Sequence, residues 1–172
     1  MSTDAGSTWS VQSLGGESDF HALTASSSGA MGFDGVLRVT TDGKSWSRGG
    51  LSAEPRALAS APDGSNVLAT TDNGLLSSTD GGKTWAPLAS APSLLLTAWA
   101  DSKTIVGVTT AGSLAISADA GQTWKTGLAT VTSGQAICAS RDKAGVLEIL
   151  VVTDTGVLQS RNDGSALSEL TS

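Results

Sequence analysis

Ser78-Thr79-Asp80-Gly81-Gly82-Lys83-Thr84-Trp85 is the stretch that decides the fold, because it recurs. Ser2-Thr3-Asp4-Ala5-Gly6-Ser7-Thr8-Trp9 and Ser117-Ala118-Asp119-Ala120-Gly121-Gln122-Thr123-Trp124 keep its pattern. Thr40-Thr41-Asp42-Gly43-Lys44-Ser45-Trp46 keeps it with one residue fewer. A fifth copy, Ser160-Arg161-Asn162-Asp163-Gly164-Ser165-Ala166-Leu167, has Asn for Asp and Leu for Trp. The acid stands at 4, 42, 80 and 119, spacings of 38, 38 and 39, and Asn162 follows 43 residues later. A period of about 40 residues fits one propeller blade of four short strands.

The sequence between the copies agrees with that period. Residues 56–61 read as a first strand, 62–66 as a turn, 67–71 as a second strand, Asp72-Asn73-Gly74 as a hairpin loop and 75–78 as a third strand. A short fourth strand is expected around Trp85-Ala86-Pro87-Leu88. The same series runs through 94–100, 104–110 and 113–117, through 135–140, 146–153 and 157–160, and more loosely through 21–25, 30–33 and 36–40. No segment has helical periodicity. The expectation is an all-β β-propeller: one domain over 1–172, with blades over 18–50, 55–89, 93–128 and 134–170 and an outer strand of an incomplete blade within 1–14.

Composition excludes several function classes. Hydrophobic residues make up 39% of the 172 residues and charged residues 15%, too apolar for a disordered chain. The net charge of −6 and the scattered ten basic residues speak against nucleic acid as a partner. No apolar run is long enough for a membrane span. One His and one Cys leave no histidine–cysteine metal site and no internal disulfide, so no metal or cofactor is expected. Cys138, between Ile137 and Ala139, reads as a buried small residue.

The Ser-x-Asp-x-Gly-x-Thr-Trp pattern resembles the Asp-box, or bacterial neuraminidase repeat. Proteins with that repeat include sialidases, sortilin-type receptors, photosystem II assembly factors and some glucan-cleaving glycosidases. Asp19-Phe20-His21-Ala22-Leu23 and the Ala- and Ser-rich composition are similar to exported actinobacterial Asp-box proteins with glycosyl-hydrolase-like names. The resemblance implies an exported or cell-envelope bacterial parent protein. It also places the box between the third and fourth strands, at the blade rim and away from the central axis. Asp4, Asp42, Asp80 and Asp119 are then structural, with Gly6, Gly82 and Gly121 and with Trp9, Trp46, Trp85 and Trp124. The chemistry suits that role: a carboxylate accepts N–H groups of its own turn, Gly supplies positive φ, and Trp packs while its one donor finds a partner. Acids one blade apart are too distant to share a calcium ion.

Aligned on the boxes, Met1 falls opposite Ser77, which suggests an internal start cut from a longer reading frame; the opening residues do not resemble a signal peptide. Three arrangements follow. Residues 9–12 complete the last blade as a fourth strand and close a four-bladed ring, or the chain is an open half-ring whose edges pair with a second copy as a homodimer, or six or more blades belong to a longer parent protein.

A site is expected at the mouth, where the innermost strands start and the hairpins between second and third strands lie. Aligning Leu23, Leu58, Leu96 and Ile137 puts His21, Arg56, Leu94 and Gln135 two positions earlier on one face. The hairpin residues Asp34, Asp72, Asn73 and Asp154 join them, although Asp before Gly is the usual turn former. Binding candidates are therefore His21, Arg56, Gln135 and Asp72, with Trp99 as a stacking platform or, more simply, blade packing. No catalytic residue is assigned. A Tyr nucleophile is absent, and the best carboxylate pair for a glycosidase is Glu17 with Glu54. The expected function is a non-catalytic propeller that recognises a glycan or protein ligand at its mouth, the alternative being a glycosyl-hydrolase-like enzyme or an inactive fragment of one.

Overall fold

The computed structural model describes residues 2–170. It contains strands and turns and, among the described residues, no helix. Four antiparallel sheets follow one another along the chain. Blade one comprises β1 (Ala22–Ser26), β2 (Gly29–Phe33), β3 (Leu37–Thr40) and β4 (Ser47–Arg48). Blade two comprises β5 (Ala57–Ser60), β6 (Val67–Thr71), β7 (Gly74–Ser78) and β8 (Ala86–Pro87). Blade three comprises β9 (Leu94–Trp99), β10 (Ile105–Thr109) and β11 (Leu114–Ser117); isolated bridges from Ile116 to Lys125 and from Ser113 to Thr130 stand where its fourth strand would run. Blade four comprises β12 (Ala136–Arg141), β13 (Leu147–Thr153), β14 (Gly156–Ser160) and β15 (Ser168–Glu169).

The core lies between blades, in three layers. Met31, Phe33 and Leu37 of blade one pack on Leu58, Val67 and Ala69 of blade two. Ala59, Leu68 and Leu75 of blade two meet Trp99, Ile105 and Ala115 of blade three. Val106, Val108 and Leu114 of blade three meet Leu147, Ile149 and Val151 of blade four. Each strand thus sends alternate side chains to the two neighbouring layers, so the middle blades are apolar on both faces.

The sheets do not close into a ring. Residues 9–12 form no strand among those described, and β15 already holds the fourth position of the last sheet. The closure by an N-terminal strand therefore does not occur. The two end faces show it: Leu23 of β1 is 60% exposed and Val152 of β13 is 40% exposed. Cys138, expected inside, is exposed for the same reason. It pairs with Leu150 on the face of blade four that no described sheet covers, while its neighbours Ile137 and Ala139 turn into the layer against blade three.

Candidate functional site

The box comes first, because it anchors everything else. In the copy at 78–85, the Asp80 carboxylate accepts the N–H groups of Lys83 and Thr84 and the hydroxyls of Ser78 and Thr84, the last at 2.6 Å. The Ser78 hydroxyl in turn accepts the Gly82 N–H at 2.9 Å. The Thr84 hydroxyl and N–H are the main reasons its pKa falls from 3.8 to about 2. Asp4, Asp42 and Asp119 are also held at about 2, Asp42 chiefly by the N–H groups of Ser45 and Lys44 and the other two by Thr8 and Thr123. These carboxylates are consumed by their own turns. Among the described residues, no group of three or more His, Cys, Asp or Glu could hold a metal ion.

Each box after the first is also clasped by the tail of the one before it. The Ser13 hydroxyl donates to the Gly43 carbonyl at 2.8 Å, the Gly50 N–H to Gly82, the Ser90 hydroxyl to Gly121 and the Ala129 N–H to Gly164. This explains the box glycine twice over. Gly121 has φ +91°, and a Cβ there would sit 2.4 Å from Leu88 of the incoming tail. The shortened box loses one link: the Trp46 indole donates to Ser13, whereas Trp85 and Trp124 donate to the carbonyls of their own box glycines.

Boxes and mouth lie at opposite ends of the sheets, since each third strand runs from its mouth hairpin to its box. At the mouth, the residues before the inner strands hold equivalent places. The N–H of His21 donates to Phe33, that of Arg56 to Thr70 and that of Gln135 to Val152. In blade three a register shift between Val108 and Thr109 puts Leu94 opposite Thr109, in the matching place, and Leu94 is buried. The same strand corrects the alignment of Leu96 with Leu58. Leu96 packs in the layer between blades three and four, and Thr97, opposite Gly107, is the residue equivalent to Leu58 opposite Ala69. A slip of one residue moves a side chain to the other face, and a run of three leucines gives no cue to the slip.

The structure brings His21, Arg56 and Asp72 together and leaves Gln135 apart. His21, Glu54, Pro55, Arg56 and Asp72 line an open depression of about 500 Å³. His21 and Glu54 also line its neighbour of about 370 Å³, with Phe33, Asp34, Gly35 and Ser52. The two form a polar groove between the first two blades. Arg56 is ion-paired to Asp72 at 2.9 Å with side chains 58% and 81% exposed. His21 and Glu54 make no side-chain hydrogen bond within the described residues. Gln135 instead bonds the hairpin acid of its own blade, Asp154. Asp34 offers no open carboxylate. Its side chain is buried, bonded by Ser18 at 2.7 Å and Arg38 at 2.6 Å, and these two lower its pKa.

Trp99 gives no stacking platform. It is 6% exposed, and its indole donates to the Ala59 carbonyl at 3.2 Å, joining blades two and three. Glu17 lines neither depression, so the carboxylate pair suggested for a glycosidase is not assembled there. Glu54 is the groove residue whose importance the sequence understates. It precedes Pro55 in a connection, and only the packing of blade two beside blade one brings it to His21.

The fold and the repeated box define a partial β-propeller of Asp-box blades. Residues 76–87 match the BNR/Asp-box repeat family. Among curated proteins no sequence matches the chain. The solved structures it resembles are β-propellers with such repeats. YCF48 from Cyanidioschyzon merolae superposes with a TM-score of 0.61 at 18% identity, over 88% of this chain and 56% of that one. YCF48 bound to D1 peptide gives 0.62 at 15%, over 88% and 54%. The GH74 enzyme of Niastella koreensis gives 0.66 at 15%, over 86% and 24%. At these identities the likeness shows the fold, and the chain spans about half the length of YCF48 and a quarter of the GH74 enzyme. No helix among the described residues is long and apolar enough to cross a membrane.

Proposed function

We infer that this chain is a non-catalytic recognition module that holds a polypeptide ligand in the mouth groove between blades one and two. The observation that carries this is the pair of adjoining depressions sharing His21 and Glu54, with Arg56 and Asp72 at one end. The groove offers an imidazole, a free carboxylate and a guanidinium whose present ion pair is solvent-exposed. Such pairs contribute at most about 1 kcal/mol, so a ligand carboxylate can replace Asp72 at little cost. The likeness to YCF48 bound to D1 peptide supports a polypeptide as the ligand to test first. A display library of short peptides screened against the chain tests this. Selected peptides should lose binding at least tenfold on Arg56→Ala and on Glu54→Gln. Peptides indifferent to both variants would overturn the reading.

Self-association through the uncovered faces of blades one and four, marked by Leu23 and Val152, belongs to the same proposal. Light scattering should then give twice the chain mass of 17.1 kDa, and a monomer at every concentration would remove that part.

A further inference from the structure

The three contacts between blades follow one register, and that register fixes what each position meets. Thr24 pairs with Met31, Ala59 with Leu68, Ala98 with Val106 and Cys138 with Leu150. The first three pairs face the following blade. Two residues further along the second strand, Phe33, Thr70 and Val108 face the same way. They are 6%, 1% and 2% exposed, whereas Val152, in their place on blade four, is 40% exposed.

The opposite faces are related in the same manner. Leu58, Thr97 and Ile137 look back at the preceding blade, and Leu58 and Thr97 are buried there. Leu23, in their place on β1, is exposed, and so is Ala25 beyond it. Two bonds show which positions touch. The Ser60 N–H donates to the Thr24 hydroxyl at 2.9 Å, and the Trp99 indole to the Ala59 carbonyl at 3.2 Å. Thr24 and Ala59 hold the place of Cys138; Ser60 and Trp99 hold the place of Ala25. Blade four thus presents one half of the contact uncovered, and blade one presents the other. Among the described residues, every exposed large apolar side chain lies in blade one, in blade four or before blade one, and none in blades two and three.

We propose that a second copy of this chain supplies the missing neighbour head to tail. The face of blade four that carries Cys138, Leu150 and Val152 packs on the face of blade one that carries Leu23 and Ala25 in the next copy. The contact is heterologous, unlike a pairing of two blade-four faces. It rests on the self-association put forward above and names the surfaces that join. A copy of the chain fits both halves because the fold already makes this contact three times in one register, with Cys138 falling beside Ala25. The box at 2–9 stands at the outer rim of blade one, tied through Ser13 to Gly43. No described sheet packs on its Trp9, so it yields to the incoming blade.

Cys138 is the sole cysteine and reports the pairing directly. In the Ala25→Cys variant a short bismaleimide should join position 25 to Cys138 of a second copy, giving a two-chain band on a denaturing gel. Wild type, Ala25→Cys combined with Cys138→Ser, and Thr126→Cys beside the Ile116–Lys125 bridge of blade three should give no such band. Leu23→Asp and Val152→Asp should each weaken association at least tenfold in light scattering over a dilution series. Mixed, the two should pair one to one, because the first keeps the blade-four face and the second the blade-one face. Thermal melts of the variants, all at exposed positions, check that each is folded. A wild-type chain that stays monomeric overturns self-association and the head-to-tail contact together. A dimer that crosslinks through Cys138 alone, an Ala25→Cys dimer that does not crosslink, or aspartate variants that fail to complement each other would leave self-association standing and overturn the head-to-tail contact.

Discussion

The boxes at 2–9 and 78–85 have nearly the same internal hydrogen bonds and very different surroundings. In both, the acid binds the threonine hydroxyl at 2.6 Å, the serine hydroxyl accepts the glycine N–H, and the indole donates to that glycine's carbonyl at 3.1 Å. In both, the acid's pKa falls to about 2. Yet Trp85 packs on the layer between blades one and two, whereas Trp9 is 76% exposed and no described sheet accompanies its box. The box is therefore a local device. Its turn closes on contacts no more than four residues apart, and the blade contributes the burial of the indole.

The largest effect should separate the two tryptophans. Trp85→Ala should cost about 2 kcal/mol in urea denaturation, less than the loss of a fully buried Trp, while Trp9→Ala should stay within about 0.5 kcal/mol. Equal losses would mean that residues 2–20 are packed more firmly than the comparison allows. Next come the serines. Ser78 is buried and joins Gly82 to Asp80, so Ser78→Ala should cost roughly 1–2 kcal/mol, against under about 0.5 for Ser2→Ala in the solvated copy.

Acid sharpens the comparison further. A carboxyl lowered from 3.8 to about 2 on folding stabilises the fold fully above its unfolded value. That contribution is lost as the pH falls through roughly 4 to 2. Stability should accordingly drop steeply in that window, and Asp80→Asn should flatten the drop. The copy at 160–167 already shows Asn serving, since Asn162 accepts the Ser160 hydroxyl at 2.8 Å and the Ala166 N–H at 3.1 Å. A carboxyl-carbon titration by NMR should give Asp4 a midpoint near 2 despite its exposure; a midpoint at the ordinary 3.8 would show that the isolated box is not formed. The smallest effect on stability belongs to the mouth, where Arg56→Ala should change unfolding by no more than about 0.5 kcal/mol because its pair is solvated.

Much of the blade was legible because its signals are local. The hairpin expected at Asp72-Asn73-Gly74 forms with Asp72 and Asn73 as its loop, while Gly74, at φ +107°, pairs with Thr71 and opens the third strand. The strands around it differ from expectation by a residue or so at their ends. What failed had no local signal. A leucine run hides the register shift in β9, so simple alternation assigns Leu96 to the wrong face. For Trp99 the stacking reading falls and the blade-packing reading holds, its partner, the Ala59 carbonyl, lying 40 residues away. Cys138 sits among small apolar residues whether or not another sheet lies beside it. At the mouth, position on the strand picked out His21 and Arg56, but the pairing of Arg56 with Asp72 and the arrival of Glu54 depend on how neighbouring segments pack.

The sequence by itself determined the repeat, the hairpins and the box, since each rests on φ preferences, alternation and hydrogen bonds within a few residues. Only the tertiary structure decided that the ring stays open, which faces are uncovered, and which polar residues meet in the mouth groove between blades one and two. Those outcomes depend on the angle and spacing between sheets, which arise from side chains of different repeats packing together, and no single repeat encodes them.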